Sequence, residues 1–168
     1  ELITQHLRQY VIEQNTLQLD PVFDGERPIG STRDMRTWYT TRIAEPTQHS
    51  QISHIVVDSG WEKYAANVAE THPKVVAWAK NDHLGFSILY LWNGSKRKYI
   101  PDFLIRYESG KTLVLEIKGE DSPQDQAKRM ALDQWVKAVN AHGGFGTWAW
   151  DVVVGDTAGM QDVMAKHA

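Results

Sequence analysis

The sequence predicts an α/β domain built on a mixed sheet with helices on both faces. Helix-like and strand-like segments follow one another in the order helix, three strands, helix, strand, which is typical of that class. Hydrophobic residues make up 42% of the 168 positions, enough to bury a substantial core. The chain has no cysteine, which excludes disulfide scaffolds, thiolate zinc sites and cysteine nucleophiles.

Charge and hydropathy narrow the functional classes further. The chain carries 18 Lys and Arg against 21 Asp and Glu, a net charge of -3. A nucleic-acid partner would therefore have to bind a local basic patch, because the chain as a whole has no positive field. No apolar run approaches the roughly 20 residues that span a bilayer, and the N-terminus lacks the basic start and apolar stretch of a signal peptide. We expect a soluble protein and, because the chain begins with Glu1, a fragment or a processed chain.

Residues 1–53 differ in pattern from the rest of the chain. Over residues 1–15 apolar side chains recur at helical spacing and predict a short amphipathic helix carrying Ile3, Leu7, Tyr10 and Val11. Residues 15–53 are polar and contain several Pro and Gly, which favours a linker or an arm, while the alternation over residues 37–43 fits one strand. We divide the chain into this N-terminal region and a compact domain over residues 54–168.

The compact domain is predicted to begin with a helix. Ser59 and Glu62 have the spacing of a capping box, which satisfies two free N–H groups at a helix start. An apolar stripe follows at Trp61, Ala65 and Val68, and Pro73 ends it. The apolar residues between positions 75 and 80 fit either a helical turn or a short strand, and the sequence does not decide between them.

Three successive strands are predicted next, over residues 86–92, 99–107 and 112–118. The turn signals Asn93-Gly94-Ser95 and Glu108-Ser109-Gly110 separate them. Segments that follow one another with short turns favour a meander, in which each strand pairs with the next.

A second helix and a last strand complete the predicted sheet. Ser122 and Pro123 have the residue types of a helix cap and first turn, and Gly143-Gly144 stops the helix. Its buried face is predicted to contain Ala127, Met130, Ala131, Gln134, Trp135 and Ala138. Residues 147–154 are predicted to form the last strand, and a short polar helix closes the chain.

One group of charged residues on the second and third strands suggests chemistry. Asp102 follows Pro101 on the second strand, and Glu116-Ile117-Lys118 ends the third. Side chains two positions apart share one face of a strand, so Glu116 and Lys118 project together. The preceding residues of the third strand are apolar on both faces, as in a central strand. Charged residues at the end of such a strand are therefore more often functional than those on an exposed strand. In the alternative interpretation, Asp102 caps a strand start and Glu116 and Lys118 form an ordinary surface ion pair.

Whether Asp102 faces the same layer as Glu116 depends on the register of the hairpin. A two-residue Ser109-Gly110 turn would place Asp102 opposite Ile117, on the wrong face. A three-residue loop with Gly110 in the left-handed region, or a bulge, would place Asp102 opposite Glu116. We therefore predict an odd loop or a bulge.

If the two carboxylates converge, they form a hard oxygen site suited to Mg²⁺ or Mn²⁺, with the carbonyl of Ile117 as a further ligand. Lys118 beside that site would position a water molecule or help to deprotonate it. A metal there would stabilise negative charge developing on a phosphoryl group. The chemistry predicted is hydrolysis of a phosphodiester bond.

The residues around this group are locally basic. Positions 80–118 contain seven Lys and Arg against four Asp and Glu. The triplet Lys96-Arg97-Lys98 lies just before Asp102, where it could hold a phosphate backbone. Lys80, Asn81 and Lys128 are further candidate phosphate contacts, with solvated surface as the alternative.

Several blocks of sequence match one family in order. They are Val57-Asp58-Ser59-Gly60-Trp61-Glu62, Lys80-Asn81 with Leu84-Gly85-Phe86, Tyr99-Ile100-Pro101-Asp102-Phe103, Leu115-Glu116-Ile117-Lys118-Gly119, and Trp135 with Ala138-Val139-Asn140. Residues 50–150 thereby resemble the PD-(D/E)xK nuclease superfamily. Within it, they are most similar to the C-terminal endonuclease domain of the restriction subunits of type III restriction enzymes.

This resemblance implies a restriction-endonuclease-like fold and a Mg²⁺-dependent DNA endonuclease, with Mn²⁺ as a substitute metal. It implies that Asp102 and Glu116 are metal ligands, that Lys118 acts on the nucleophilic water, and that Glu62 is the acid on the first helix that orients this water. The capping box explains Glu62 equally well without catalysis.

The partners implied by the resemblance are double-stranded DNA, a helicase motor upstream in the same full-length chain, and a separate methyltransferase subunit, all in the bacterial cytoplasm. No Walker-type glycine loop of such a motor occurs in this sequence. Residues 1–53 would be the connection to the motor. The alternatives are a recombination or repair nuclease of the same superfamily, and an inactive DNA-binding or assembly module that retains the fold.

Overall fold

A computed structural model describes residues 32, 35–155 and 158–168. The strands are β1 (Ala44–Pro46), β2 (His54–Val56), β3 (Val75–Lys80), β4 (Ile88–Trp92), β5 (Ser95–Tyr99), β6 (Phe103–Tyr107), β7 (Lys111–Lys118) and β8 (Thr147–Val154). The helices are α1 (Gly60–Thr71), α2 (Pro123–His142) and α3 (Ala158–His167). The helix predicted over residues 1–15 lies outside the described residues.

The main sheet has four strands in the order β3-β6-β7-β8. The β3/β6 and β6/β7 pairs are antiparallel, and the β7/β8 pair is parallel. The parallel pair is joined through α2, as parallel neighbours require a crossover connection. Leu113, Val114 and Leu115 of β7 are fully buried. The prediction of a mixed sheet with this strand at its centre is therefore confirmed.

Helices cover both faces of the sheet, as predicted. On one face, the small residues of α1 and the methionines of α3 pack against Trp78, Phe103 and Leu113. On the other face, Leu132 and Val136 of α2 pack with the β4/β5 hairpin against the sheet. Alternation along β7 assigns the faces, so that Leu113 and Leu115 point to α1 and α3 while Val114 points to α2.

The predicted helix boundaries are confirmed by their caps. Ser59 accepts the N–H of Glu62, and Ser122 with Pro123 opens α2 in the same way by accepting the N–H of Asp125. Gly143 ends α2 with a φ of 73°, a left-handed conformation in which glycine pays no steric cost. Among the described residues, no helix is long and apolar enough to cross a membrane.

The predicted meander is wrong. Residues 75–80, whose sequence fits either a helical turn or a short strand, form β3, and β3 borders β6 at the edge of the sheet. The predicted strand over residues 99–107 is two strands, of which β5 pairs with β4 in a separate hairpin and β6 joins the main sheet. The chain changes layers at Ile100-Pro101-Asp102, where Pro101 has no N–H to donate to a ladder.

The strand predicted over residues 37–43 is also wrong. Within the described residues this segment pairs with no strand, and Tyr39 and Ile43 are 93% and 84% exposed. The short strand β1 follows it and pairs with β2. The residues between β1 and β2 are tied to the compact domain, since Glu70 of α1 accepts the N–H groups of Gln48 and His49.

The buried face of α2 is rotated from the predicted one by about one residue. Leu132 and Val136 are its buried apolar positions, whereas Met130 is 53% exposed and Gln134 is exposed. The predicted position Trp135 packs partly buried against Phe86 and Trp148. The rotation arises because α2 must cover both the β4/β5 hairpin and β8, which periodicity within one helix cannot reveal.

Candidate active site

Five chain segments meet at one end of the main sheet. The end of β3 contacts the start of β6, where the N–H of Asn81 donates to the carbonyl of Asp102 over 2.7 Å. The end of β7 is adjacent, since the N–H of Ile117 donates to Asp102 Oδ2 over 2.7 Å. The first turns of α1 and α2 bring Glu62 and Asp125 to the same end. The predicted catalytic residues therefore lie together.

The hairpin register is as predicted. Phe103 pairs with Leu115, so that the same register continued by one residue sets Asp102 opposite Glu116. The connection is the three-residue loop of Glu108, Ser109 and Gly110, in which Gly110 has a φ of 83°. This odd loop places both carboxylates on the face of β7 that also carries Lys118.

Asp102 is an acid without a basic partner. Among the described residues, its only hydrogen-bond donor is the N–H of Ile117, and no Lys, Arg or His lies within salt-bridge distance. Burial, followed by the negative charge of Glu116, raises the pKa of Asp102 to about 7. When Asp102 is ionised, its negative charge therefore has no basic side chain among the described residues in direct contact with it.

Glu116 is held on both sides. It is 5% exposed, so the alternative of an ordinary surface ion pair does not describe it. Its Oε1 lies 2.9 Å from Lys118 Nζ, and its Oε2 accepts the hydroxyl of Tyr99 over 2.7 Å. Burial and the charge of Glu116 raise the pKa of the Tyr99 hydroxyl far above its usual range. Tyr99 is therefore a permanent donor that fixes the Glu116 carboxylate.

Lys118 lies between two acids. Its Nζ is 2.9 Å from Glu116 Oε1 and 3.5 Å from Asp125 Oδ1. Burial alone would lower the pKa of Lys118, but the hydrogen bond and charge of Glu116 and the charge of Asp125 raise it above its usual range. The ammonium group is charged at neutral pH, which suits stabilisation of a phosphate oxygen better than proton abstraction.

Asp125 and Lys128 complete the surroundings of Lys118, and Asp125 is not among the site residues predicted from the sequence. The Asp125 carboxylate contacts Lys128 Nζ at 2.8 Å and accepts the hydroxyl of Ser122. Burial would raise the pKa of Asp125, but Lys128, Ser122 and Lys118 together hold it far below its usual range. The cap spacing Ser122-x-x-Asp125 was the sequence signal for this acid at the N-terminus of α2.

Glu62 and Lys80 form an inner ion pair. Lys80 Nζ is 3.0 Å from Glu62 Oε2 and 3.2 Å from Asp58 Oδ2, and it donates to the carbonyl of Val56 over 2.9 Å. Glu62 also accepts the N–H of Asp58 over 2.7 Å, so the second half of the capping box is displaced by one residue. Glu62 is close enough to Asp102 that its charge helps to raise the Asp102 pKa.

The predicted DNA contacts fall into two groups. Lys80 and Asn81 are both 8% exposed and bonded to protein atoms, the Asn81 amide donating to the carbonyls of Phe86 and Pro101. This burial favours a structural role for both over contact with DNA. The remaining candidates lie nearer to solvent, with Lys96, Arg97 and Lys98 exposed on β5 and Lys128 partly exposed on α2.

The donor set fits a hard divalent cation. Asp102 and Glu116 share a face, and the uncompensated charge of Asp102 favours a positive ligand. The N–H of Ile117 points towards Asp102, and since the N–H and C=O of one strand residue face the same neighbour, its carbonyl faces that side as well. No group of three or more His, Asp or Glu side chains in the described part of the chain could hold a metal ion. The set would therefore be two carboxylates and one carbonyl.

Comparisons of the chain with protein-family models, curated proteins and solved structures found no match. The residues of the site and their geometry are therefore what points to a function.

Proposed function

We propose that this chain contains a Mg²⁺-dependent endonuclease domain that hydrolyses phosphodiester bonds of double-stranded DNA. The observation that carries the proposal is the shared face of Asp102 and Glu116, with Lys118 at the next position on that face. The sequence blocks between residues 50 and 150 that resemble the PD-(D/E)xK superfamily support membership of it and a restriction-endonuclease-like arrangement. The order of α1, the antiparallel strands, α2 and the parallel strand β8 is consistent with that arrangement.

The metal would be held by the carboxylates of Asp102 and Glu116 and the carbonyl of Ile117. When bound, Mg²⁺ or Mn²⁺ would supply electrostatic stabilisation of the charge that develops on the phosphoryl group. Tyr99 keeps the Glu116 carboxylate in position through its hydroxyl. The raised pKa of Asp102 implies that this carboxylate is most readily ionised when a cation is present.

Lys118 provides the permanent positive charge of the site. Glu116 and Asp125 hold its ammonium group from two sides, which fixes its direction relative to the two carboxylates. From this position it would orient the attacking water and stabilise a phosphate oxygen as negative charge grows there. Glu62, whose carboxylate is anchored by Lys80, would accept a hydrogen bond from the same water.

The larger assembly follows from the resemblance. We propose that the domain is part of a type III restriction enzyme in the bacterial cytoplasm, with a helicase motor upstream in the same chain and a methyltransferase subunit as partner. Residues 1–53 would connect the domain to the motor.

The proposal is tested by incubating supercoiled plasmids of unrelated sequence with the protein over a Mg²⁺ titration. We expect slow cleavage without sequence choice. Asp102→Ala and Lys118→Ala should each lower the rate at least about 100-fold, while DNA binding is largely retained. Asp162→Ala and Lys137→Ala are charge-removing controls, since both residues are exposed and Lys137 pairs with Asp133 and not with a site residue.

Unchanged cutting in either site variant would remove the proposed catalytic residues. DNA binding by the wild-type protein with no cleavage at any Mg²⁺ or Mn²⁺ concentration would leave the inactive DNA-binding module as the function.

A further inference from the structure

The β4/β5 hairpin stands apart from the main sheet and has two distinct faces. Its register pairs Leu89 with Lys98 and Leu91 with Lys96. These four residues therefore share one face, which we call the outer hairpin face. Ile88, Tyr90 and Tyr99 occupy the opposite face, where they pack against α2 and the sheet.

The outer hairpin face exposes apolar surface. Leu89 and Leu91 are 51% and 70% exposed, whereas Ile88 and Tyr90 on the inner face are 4% and 6% exposed. A strand that only packed on the core would alternate apolar and polar residues, but β4 is apolar on both faces. The two leucines thus lie where the described part of the protein offers them no cover.

The same hairpin carries positive charge that its surroundings do not neutralise. No Asp or Glu occurs between positions 83 and 101. Among the described residues, Lys96, Arg97 and Lys98 have no acidic partner, whereas the site residues Lys118 and Lys128 are both paired with Asp125. Because the whole chain has a net charge of -3, this basic cluster is a local feature.

The hairpin is also attached directly to the candidate active site. Tyr99, the last residue of β5, donates its hydroxyl to Glu116 Oε2 over 2.7 Å. Gln124 in the first turn of α2 donates to the hydroxyl of Tyr90 on β4. A ligand bound along the outer hairpin face would therefore be held at a fixed position relative to Glu116.

We propose that the outer hairpin face binds duplex DNA in its minor groove, with Lys96 and Lys98 on the phosphates and Leu89 and Leu91 against the sugars and base edges. The identity of the ligand rests on the proposed function. Lysines on phosphates give affinity without sequence choice, and apolar side chains that enter the minor groove are a recurrent means of binding and bending DNA. The register divides the basic triplet, since Arg97 lies opposite Tyr90 and thus on the other face.

The test measures binding of a fluorescent 30-base-pair duplex by anisotropy, in EDTA so that no cleavage occurs, over a series of salt concentrations. The double variant Leu89→Ser with Leu91→Ser should weaken binding about tenfold or more, because apolar contact is lost, with an unchanged salt slope. Lys96→Ala with Lys98→Ala should reduce the slope of log affinity against log salt by about 2, whereas Arg97→Ala should change it less.

Two controls keep the result specific to the outer hairpin face. Met130→Ser removes an apolar side chain of matched exposure, 53%, from α2 and should leave binding unchanged. Leu89→Met with Leu91→Met keeps apolar surface on the hairpin and should retain the affinity. Thermal melting of each variant should match the wild-type protein, since the substituted side chains are exposed.

Wild-type affinity in the double serine variant, or an unchanged salt slope in the double alanine variant, would overturn the inference. Tighter binding of the wild-type protein to phosphatidylserine vesicles than to the duplex would also overturn it. The nuclease proposal fails separately, when Mg²⁺ produces no cleavage although binding still depends on the hairpin. Cleavage at subsaturating DNA that is unaltered by the leucine variants would refute the hairpin inference alone.

Discussion

Asp151 and Asp102 are two partly buried acids on opposite faces of the same sheet, and their surroundings differ sharply. Asp151 on β8 lies 2.7 Å from Lys166 Nζ and 2.9 Å from His167 Nε2. Burial would raise the pKa of Asp151, but these two partners and the N–H of Val152 lower it. For Asp102, burial and the negative charge of Glu116 outweigh the hydrogen bond from Ile117 and the charge of Lys118, and the pKa rises to about 7.

The difference separates an acid that stabilises the fold from one that does not. The negative charge of Asp151 is neutralised by α3 and so helps to fix that helix on the sheet. The charge of Asp102 is opposed by the protein around it. A buried charge that lacks an internal partner is costly to the folded state, which is why we propose a ligand role for Asp102 and a structural role for Asp151.

Substitution by Asn should therefore change stability in opposite directions. At pH 8 without metal, Asp151→Asn should lower the Tm by roughly 3–6 °C, because Lys166 and His167 lose their acceptor. Asp102→Asn should raise the Tm by roughly 2–4 °C, since Asn still accepts the Ile117 N–H without carrying charge. Differential scanning calorimetry in EDTA measures both, and a fall in Tm for Asp102→Asn would contradict the contrast.

The two acids should also make stability depend on pH in opposite ways. The folded pKa of Asp102, about 7, lies above the value of about 4 in an unfolded chain. The wild-type protein therefore loses stability as pH rises through this interval, and the advantage of Asp102→Asn should grow from pH 4 to pH 8. Asp151 has a lowered pKa, so the penalty of Asp151→Asn should be full above pH 4 and disappear as pH falls further.

Divalent cations should act on one member of the pair only. At ten times its dissociation constant, Mg²⁺ should raise the Tm of the wild-type protein by roughly 3–5 °C through selective binding to the folded state. The same addition should leave the Tm of Asp102→Asn nearly unchanged, while Asp151→Asn should respond like the wild-type protein. An equal response of all three proteins would place the cation elsewhere.

Substitution of Asp125 tests whether an acid that is already paired with lysines contributes to catalysis by positioning them. Asp125→Asn should lower kcat for plasmid cleavage about fivefold with little change in KM, because Lys118 and Lys128 lose the charge that positions them. A merely structural role would lower stability without altering the pH profile of kcat. Asp121→Asn, which removes the exposed partner of Arg129 beside the start of α2, is the matched control and should cleave like the wild-type protein.

Local rules in the sequence accounted for the parts of the fold that depend on few neighbouring residues. The caps at Ser59, Ser122 and Gly143 follow from side-chain hydrogen bonding and backbone freedom within one turn. The pairing of Asp102 with Glu116 follows from a three-residue loop closed by Gly110, which is also a local device. For this reason the core of the candidate site could be predicted.

Contacts between distant segments could not be predicted in this way. One neighbour of β6 is β3, whose paired residues lie 23 to 32 positions earlier, and not β5, the strand that immediately precedes β6. The rotation of α2 by one residue and the enclosure of the Lys80 ammonium by Val56, Asp58 and Glu62 have the same origin. In each case the deciding contact joins elements that are far apart in the sequence, and the hydrophobic periodicity of one element carries no information about the other.

By itself the sequence determined the helix ends, the central apolar strand and the loop that brings two carboxylates to one face, because each is set by residues within one turn or one hairpin. Only the tertiary structure decided that Asp125 reaches Lys118, that Lys80 is withdrawn from the surface, and that the β4/β5 hairpin is separate from the main sheet. These outcomes depend on which elements pack together, and packing between distant segments is a property of the folded chain as a whole.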